Sequence, residues 1–471
     1  MGVMLEQAGI SYQILERSEA IRSAGCAISI GPTVMRVIEQ LGFKEEFVRE
    51  SVPIRQLRYF NQMDGELNMD QCHGIADMIF CETRYGSAIR VIPRPTFYSI
   101  LYSRIPSHKL LFGKRVIRTQ EHDPDGDGGV NGYVSCFCDD GTEYRGSILI
   151  GADGAYSTIR QQMYHVLEKT GEMDKDETAP LMPHQHCIAG MTESLDPKEF
   201  EILQREYGEF QVMRGKEQKH SLALRQISTS LSASSNDNNN SNNNSNDNGD
   251  FTSANASHHE RLRYCLTKKV QEHAQAILES LRGMRNPLSS ASGVFGDLLD
   301  RTNPDLISKV TIEQGVYSRW YHNRTVLIGD ACHKSLPYGG QGANQAILDS
   351  IFLVTQLQKL VCSSYGDHVT EVTGPRSSLQ PPTRSEITAI FEEYYRERSV
   401  IAKVATMGSS WFDHIFGGQG YWSRFFRYLY FRVLPQKWFY VLSDSYFRVR
   451  PLLPFLPSVD DSGTIAPALF P

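Results

Sequence analysis

An acidic residue between an apolar strand and a run of glycines is the first arrangement in this chain with the makings of chemistry. Val326-Leu327-Ile328 reads as the strand. It runs into Gly329-Asp330-Ala331-Cys332-His333-Lys334-Ser335-Leu336-Pro337-Tyr338, and then into Gly339-Gly340-Gln341-Gly342-Ala343-Asn344, which opens a helix. A carboxylate at the carboxyl end of a strand sits where open α/β sheets bind their ligands. The glycines let backbone N–H groups come close to a ligand, and the helix behind them presents partial positive charge. Such a place suits an anionic or electron-rich cofactor.

A second segment repeats the pattern. Ile148-Leu149-Ile150 leads into Gly151-Ala152-Asp153-Gly154-Ala155-Tyr156-Ser157-Thr158-Ile159-Arg160, again strand, glycine turn, Asp and helix start. Two further elements could serve the same ligand. Tyr12-Gln13-Ile14-Leu15 reads as a short buried strand ending in Glu16, where a dinucleotide-binding fold uses a carboxylate on the adenosine ribose. Arg94 lies in Pro93-Arg94-Pro95-Thr96-Phe97.

In this order and spacing, the two acidic segments resemble those of the para-hydroxybenzoate hydroxylase-like FAD monooxygenases. The resemblance implies that Asp330, Pro337, Gly340, Gly342, Ala343 and Asn344 line FAD, and that Asp153 lies near the FAD and NAD(P)H pyrophosphates. It further implies that Arg94 reaches toward the ribityl and phosphate region, and that Ala27 and Val116 are also FAD contacts. The implied fold is α/β. A dinucleotide-binding FAD domain is joined to an α+β substrate domain whose sheet roofs the flavin, and a helical aromatic-rich region follows. In the implied reaction NAD(P)H reduces FAD, and O2 gives one oxygen atom to an electron-rich alkene or arene and the other to water. The protein's part is binding, orientation and water exclusion. Helix-start N–H groups at Gly340 to Asn344 would stabilise negative charge developing on the reduced flavin. Epoxidation needs no side-chain acid or base, and no catalytic residue is named.

The amino terminus departs from that family. Strand, Gly-x-Gly-x-x-Gly and helix should come before the acidic residue, yet only fifteen residues precede Glu16. Met1 to Gly9 reads as the second half of the family's first helix, capped by Gly9. The first strand and pyrophosphate cradle are expected to be missing. Either the start is assigned to an internal Met or the gene product is truncated, and the intact remaining motifs favour the first. The rival from a different class is a non-catalytic remnant that binds no flavin.

The elements that position these residues follow from pattern. Pro32 to Leu41 has apolar residues at helical spacing, stopped by Gly42, and Lys114-Arg115-Val116 opens an extended stretch. Gly132 to Cys138, followed by Asp139-Asp140-Gly141-Thr142, reads as a hairpin. Gln345 to Val361 is apolar almost all round and is expected to be buried. Thr383-Arg384-Ser385-Glu386 has the pattern of a capping box, ahead of an amphipathic helix with Ile387, Ile390, Phe391 and Tyr394 on one face. The expected organisation is residues 1–174 and 321–405 as the FAD-binding domain, 175–320 as the substrate domain and 406–471 as the C-terminal region. Residues 228–257, rich in Asn and nearly devoid of apolar side chains, read as a disordered insertion.

With 471 residues, 40% hydrophobic and 22% charged, the chain suits a soluble enzyme of two or three domains. A net charge of −6 without a basic run gives no reason to expect nucleic acid. Nine cysteines without regular spacing point to reduced thiols in an intracellular setting. Cys136 and Cys138 read as packing residues, and no metal site is expected. Cys332-His333 lacks an evident partner acid, so no nucleophile is assigned. Neither a secretory signal nor an 18-residue apolar span is present. Between Trp411 and Phe447, however, Trp411, Trp422 and Trp438 mix with Phe425, Phe426, Tyr428, Tyr430, Phe431, Phe439 and Tyr440 and with Arg424, Arg427, Arg432 and Lys437. That mixture suits either a membrane interface or a helical pair packed on the catalytic body. The same tail is similar to that of fungal secondary-metabolism monooxygenases of the terpenoid epoxidase type. This implies a lipophilic substrate, O2 as co-substrate, and a cytoplasmic or peripherally membrane-associated protein.

Overall fold

The computed structural model describes residues 1–21, 27–61, 72–123, 132–173, 181, 183–214, 220–230, 258–268, 282–283, 294–304, 307–337, 340–365, 382–413, 421–429, 433 and 436–468. Most of the Asn-rich stretch, together with Tyr338 and Gly339, lies outside them.

The parallel strands come in two pieces. β1 (Ile14–Leu15) lies parallel to β6 (Leu110–Leu111), and β10 (Leu149–Gly151) lies parallel to β18 (Thr325–Leu327). A short antiparallel partner, β17 (Tyr321–His322), returns into β18 through Asn323, whose φ of 49° an Asn tolerates in a tight turn. Among the described residues no strand joins the two pieces. They share one core instead, built from α1 (Gly2–Gln7), α2 (Pro32–Gln40), α5 (Arg94–Tyr102) and α6 (Thr158–Thr170).

Through that core runs α8 (Gly342–Tyr365), against which α1, α2 and the long α9 (Arg384–Phe412) all pack. Leu348, Ile351, Phe352, Leu353, Val354 and Leu357 of α8 are buried, and so are Asn344, Gln345, Asp349 and Gln356. Burial therefore goes all round the helix, as its apolar pattern requires. α9 begins with the capping box: the Glu386 N–H donates to Thr383 Oγ1 at 3.3 Å, and the Thr383 N–H donates to Glu386 Oε2 at 2.8 Å. Its inward face puts Ile387, Phe391 and Tyr394 into the core, where the Tyr394 hydroxyl donates to Leu327 O at 3.1 Å.

Above this core lies a nine-stranded sheet in the order β15-β11-β14-β13-β12-β3-β5-β2, with β4 (Cys72–Asp77) paired to β3. Its members are β2 (Ala27–Ile30), β3 (Val52–Asn61), β5 (Ile89–Pro93), β11 (Pro183–Met191), β12 (Gly208–Arg214), β13 (His220–Ser230), β14 (His258–Lys268) and β15 (Ser308–Glu313). All the pairings are antiparallel except β12 with β3. A separate meander, β7 (Val116–His122), β8 (Tyr133–Cys138) and β9 (Glu143–Gly146), contains the expected hairpin. Gln162 of α6 grips its first strand, accepting from the Thr119 N–H at 2.6 Å and donating to Ile117 O at 2.8 Å.

The last twenty residues described form a strap. After α11 (Gln436–Phe447) the chain runs back over α2 and over α4 (Phe80–Tyr85). Gln40 donates to Leu453 O and Pro457 O and accepts from the Leu453 N–H, and Arg36 donates to Arg450 O and Val459 O. Arg450 is buried and forks onto Asp461 at 2.7 and 3.0 Å. The fit is closest at Gly86, where φ is +77° and an added Cβ would stand 2.6 Å from Ser462 Oγ. Gly86→Val is therefore expected to lower unfolding stability by about 1–3 kcal/mol, measured by urea denaturation. An unchanged midpoint would show that the strap carries no stability.

Candidate functional site

The pairing of β10 with β18 brings the two acidic turns to one sheet edge. Gly151 is in register with Leu327, and the Ile328 N–H donates to Gly151 O at 3.0 Å. Asp153 and Asp330 thus follow the carboxyl ends of adjacent parallel strands. Buried Arg160 ties their turns together, donating to Ala331 O and to Ala155 O at 2.8 Å each, with its guanidinium 4.0 Å from the centre of the Tyr317 ring. The Asp153 carboxylate accepts from the Ser157 hydroxyl and from the Ile159 N–H at 3.1 Å, while Ser157 Oγ accepts from the Arg160 N–H at 2.9 Å. Both residues therefore also cap α6. Asp330, by contrast, is exposed to solvent.

Beneath Asp330 lies a network that sequence reasoning missed. Asp349 of α8 is fully buried, and its Oδ2 accepts from the Gly329 N–H at 2.7 Å and from His333 Nε2 at 2.7 Å. Its Oδ1 accepts from Arg398 Nε at 2.8 Å. Arg398, also fully buried, continues to Gln345 O at 3.2 Å and Gln345 Oε1 at 2.7 Å. Burial alone would raise the Asp349 pKa, but His333, Arg398 and the Gly329 N–H outweigh it and hold the carboxyl at about 2. The acid that Cys332-His333 lacked in sequence is therefore Asp349, which lies on α8 sixteen residues after His333. It does not make a nucleophile of Cys332, because burial pushes that thiol well above its ordinary range. Cys332, His333 and Asp349 have ligand atoms within 4.8 Å of one another, but both Asp349 oxygens already accept N–H donors.

The amino-terminal end of α8 forms the other side of the site. Asn344 is a three-way clamp: its Oδ1 accepts from the Gly31 N–H at 2.9 Å, and its Nδ2 donates to Ser29 O at 3.0 Å and Gly340 O at 2.9 Å. The nine-stranded sheet is pinned to the helix there. Gly340, with φ +61°, has Ser29 so close that an added Cβ would meet Ser29 Cβ at 3.1 Å. A Cβ at Gly342 would meet nothing within 4 Å, so the first helical residue faces open space. The first N–H groups of α8 have no acceptor within the helix.

The other expected residues fall around this end or apart from it. Ala27 is in register with Pro93, which sets it beside Arg94 at the start of α5. Arg94 is exposed and donates to the Tyr98 hydroxyl at 2.6 Å. Pro337 is exposed beyond Asp330. Glu16 follows β1 in the other parallel piece, accepts from the Ser18 N–H at 2.8 Å, and through its carbonyl accepts from the Lys114 N–H at 2.8 Å, near Val116. No hydrogen bond among the described residues joins Glu16 to the Asp330–Asn344 group.

Adjacent acidic turns on parallel strands, an open helix start and a large sheet beside them make up an FAD-binding fold of the aromatic hydroxylase type. The model of the FAD binding domain family matches residues 1–364, and the chain belongs to that family. Among curated proteins it is 26% identical over 398 residues to the FAD-dependent monooxygenase nodM of Hypoxylon pulicicidum, covering 84% of this chain and 73% of that one. It is 24% identical over 429 residues to the FAD-dependent monooxygenase terM of Tolypocladium album, covering 90% and 77%. Among solved structures, Klebsiella pneumoniae HpxO in complex with FAD and uric acid shares the fold at a TM-score of 0.64 and 18% identity, over 96% of this chain and 94% of that one. FqzB does so at 0.60 and 17%, over 97% and 94%.

The residues at the edge fit FAD. Gly342 faces open space, the helix start offers N–H donors to an anionic or electron-rich group, and the exposed Asp330 carboxylate can accept from hydroxyls.

Asp349→Asn is expected to destabilise the chain by about 3–5 kcal/mol in urea denaturation, because Arg398 becomes an uncompensated buried charge. The folded pKa of Asp349 lies below the unfolded value of about 3.9, so its stabilisation is present above about pH 4 and is lost as pH falls toward 2. An equal acid sensitivity in wild type and variant would contradict this assignment.

Proposed function

We propose that this FAD-dependent monooxygenase uses NAD(P)H and O2 to hydroxylate or epoxidise a lipophilic small molecule in terpenoid or meroterpenoid secondary metabolism. The observation that carries the proposal is the register of β10 with β18, which sets Asp153 and Asp330 on one edge beside the open start of α8. The relatives' names, FAD-dependent monooxygenases of fungi, support the reaction class. When bound, FAD reduced by NAD(P)H supplies the means to put one atom of O2 into substrate while the other leaves as water.

The chain's own residues bind and orient. Asp330 accepts from ribityl hydroxyls near the diphosphate, and Arg94 offers a cation to the same region. The N–H groups of Gly342, Ala343 and Asn344 would hold the isoalloxazine edge, where the α8 dipole favours negative charge. Pro337 would shape the floor beside the reacting carbon, and Ala27 and Val116 would line the cofactor. Asp153 serves the pyrophosphates and Glu16 the adenosine ribose. The nine-stranded sheet shields the substrate from water. Epoxidation of an alkene needs no proton removed, whereas an arene hydroxylase would often use a base to deprotonate a phenol. Nine cysteines without regular spacing support an intracellular setting.

The test is the purified chain incubated with FAD, desalted and read by its visible absorbance. Wild type is expected to retain flavin, and Asp330→Ala to lose most of it while keeping its thermal midpoint, since Asp330 is exposed. Undiminished flavin stoichiometry in the variant would refute the placement of the site. A wild-type chain that FAD cannot turn yellow would point to a non-catalytic remnant.

A further inference from the structure

The cofactor reading leaves the aromatic C-terminal region unused. α9 runs past the core, and beyond Arg398 its outward side carries Val400, Val404, Met407 and Trp411, which are 58%, 43%, 65% and 57% exposed. Their spacing of four, three and four residues makes one stripe along the helix. The opposite side, Ala402, Ala405 and Ser409, is buried. The stripe does not end with the helix. The Trp411 ring meets Phe426 edge-on at 6.1 Å, which carries the surface onto α10 (Tyr421–Tyr428).

α10 is apolar on its outside. Tyr421 is 89% exposed, Trp422 75%, Phe425 52% and Tyr428 62%, and the Trp422 ring meets Phe425 edge-on and Phe426 at a tilt. At 100° per residue, Tyr421, Trp422, Phe425, Phe426, Tyr428 and Leu429 fall on one arc, and the sequence between them supplies Ser423, Arg424 and Arg427. An apolar surface of this extent, built on two helices and rimmed by polar positions, marks an interaction site.

The chemistry of the surface selects its partner. From 414 to 443 the sequence has Arg424, Arg427, Arg432 and Lys437 and no Asp or Glu, in a chain whose net charge is −6. Tyr and Trp prefer the level of lipid headgroups, and neighbouring Arg or Lys reach phosphates while their stems stay in apolar surroundings. No helix among the described residues is long and apolar enough to cross a membrane, so the element would lie on a bilayer. We propose that the α9 stripe from Val400 to Trp411 and the aromatic arc of α10 together seat the protein on an anionic phospholipid surface. The inference goes beyond the oxygenation chemistry and does not depend on it.

The test uses the full purified chain in co-sedimentation with phosphatidylcholine vesicles, with and without phosphatidylserine. The chain is expected to pellet with the anionic vesicles, to pellet less with neutral ones, and to be released by high salt. Trp422→Ser combined with Phe425→Ser should weaken partitioning roughly tenfold or more. The thermal midpoint should stay put, since both side chains face solvent. Arg424→Glu with Arg427→Glu should remove the preference for phosphatidylserine. A wild-type chain left in the supernatant with every vesicle overturns the proposal, as does a serine variant that pellets like wild type. A dimer seen in sedimentation velocity and abolished by the serine variant, without vesicle binding, would show that a second copy covers this face instead.

Discussion

One buried carboxylate holds the site's parts in place. Asp349 touches the Gly329 amide at the start of the acidic turn, His333 on the far side of it, and Arg398 on the neighbouring helix. Through Arg398 it also reaches the Gln345 backbone in the first turns of α8. A short turn that begins with glycine and carries an exposed acid has little reason of its own to keep one shape. Hydrogen bonds to a desolvated charge fix it, because any departure strands that charge without partners. Asp330 can remain exposed and available because the residue before it and the third residue after it are both fastened from below.

This explains which parts of the site were legible in the sequence. Strand, glycine and acid are adjacent in the chain, so the turns at Asp153 and Asp330 could be read directly, as could the capping box at Thr383 and the burial of α8. Arg160 with Ala331, Asn344 with Gly31 and Asp349 with Arg398 could not. These partners lie 171, 313 and 49 residues apart, and only the fold brings them together. Polar residues inside an otherwise apolar helix were the available signal. Gln345, Asp349 and Gln356 are costly to bury without partners, so each announced a partner without naming it.

Local pattern gave the elements of the large sheet less well than it gave the turns. Its strands come from residues 27–93 and again from residues 183–313, and the parallel contact of β12 with β3 joins the two sets. Such pairing depends on matching of surfaces far apart in sequence, which hydrophobic alternation within a single strand does not encode. The strap from 449 to 468 is similar. Its prolines and short apolar residues carry no helical or strand period, and it is ordered by backbone groups that Gln40, Arg36 and Arg450 satisfy one by one.

The clamp at Asn344 has a mechanical consequence. Its one carboxamide joins the helix start to the strand end at Ser29 and Gly31, so a shift of that strand end against α8 has to break both hydrogen bonds together.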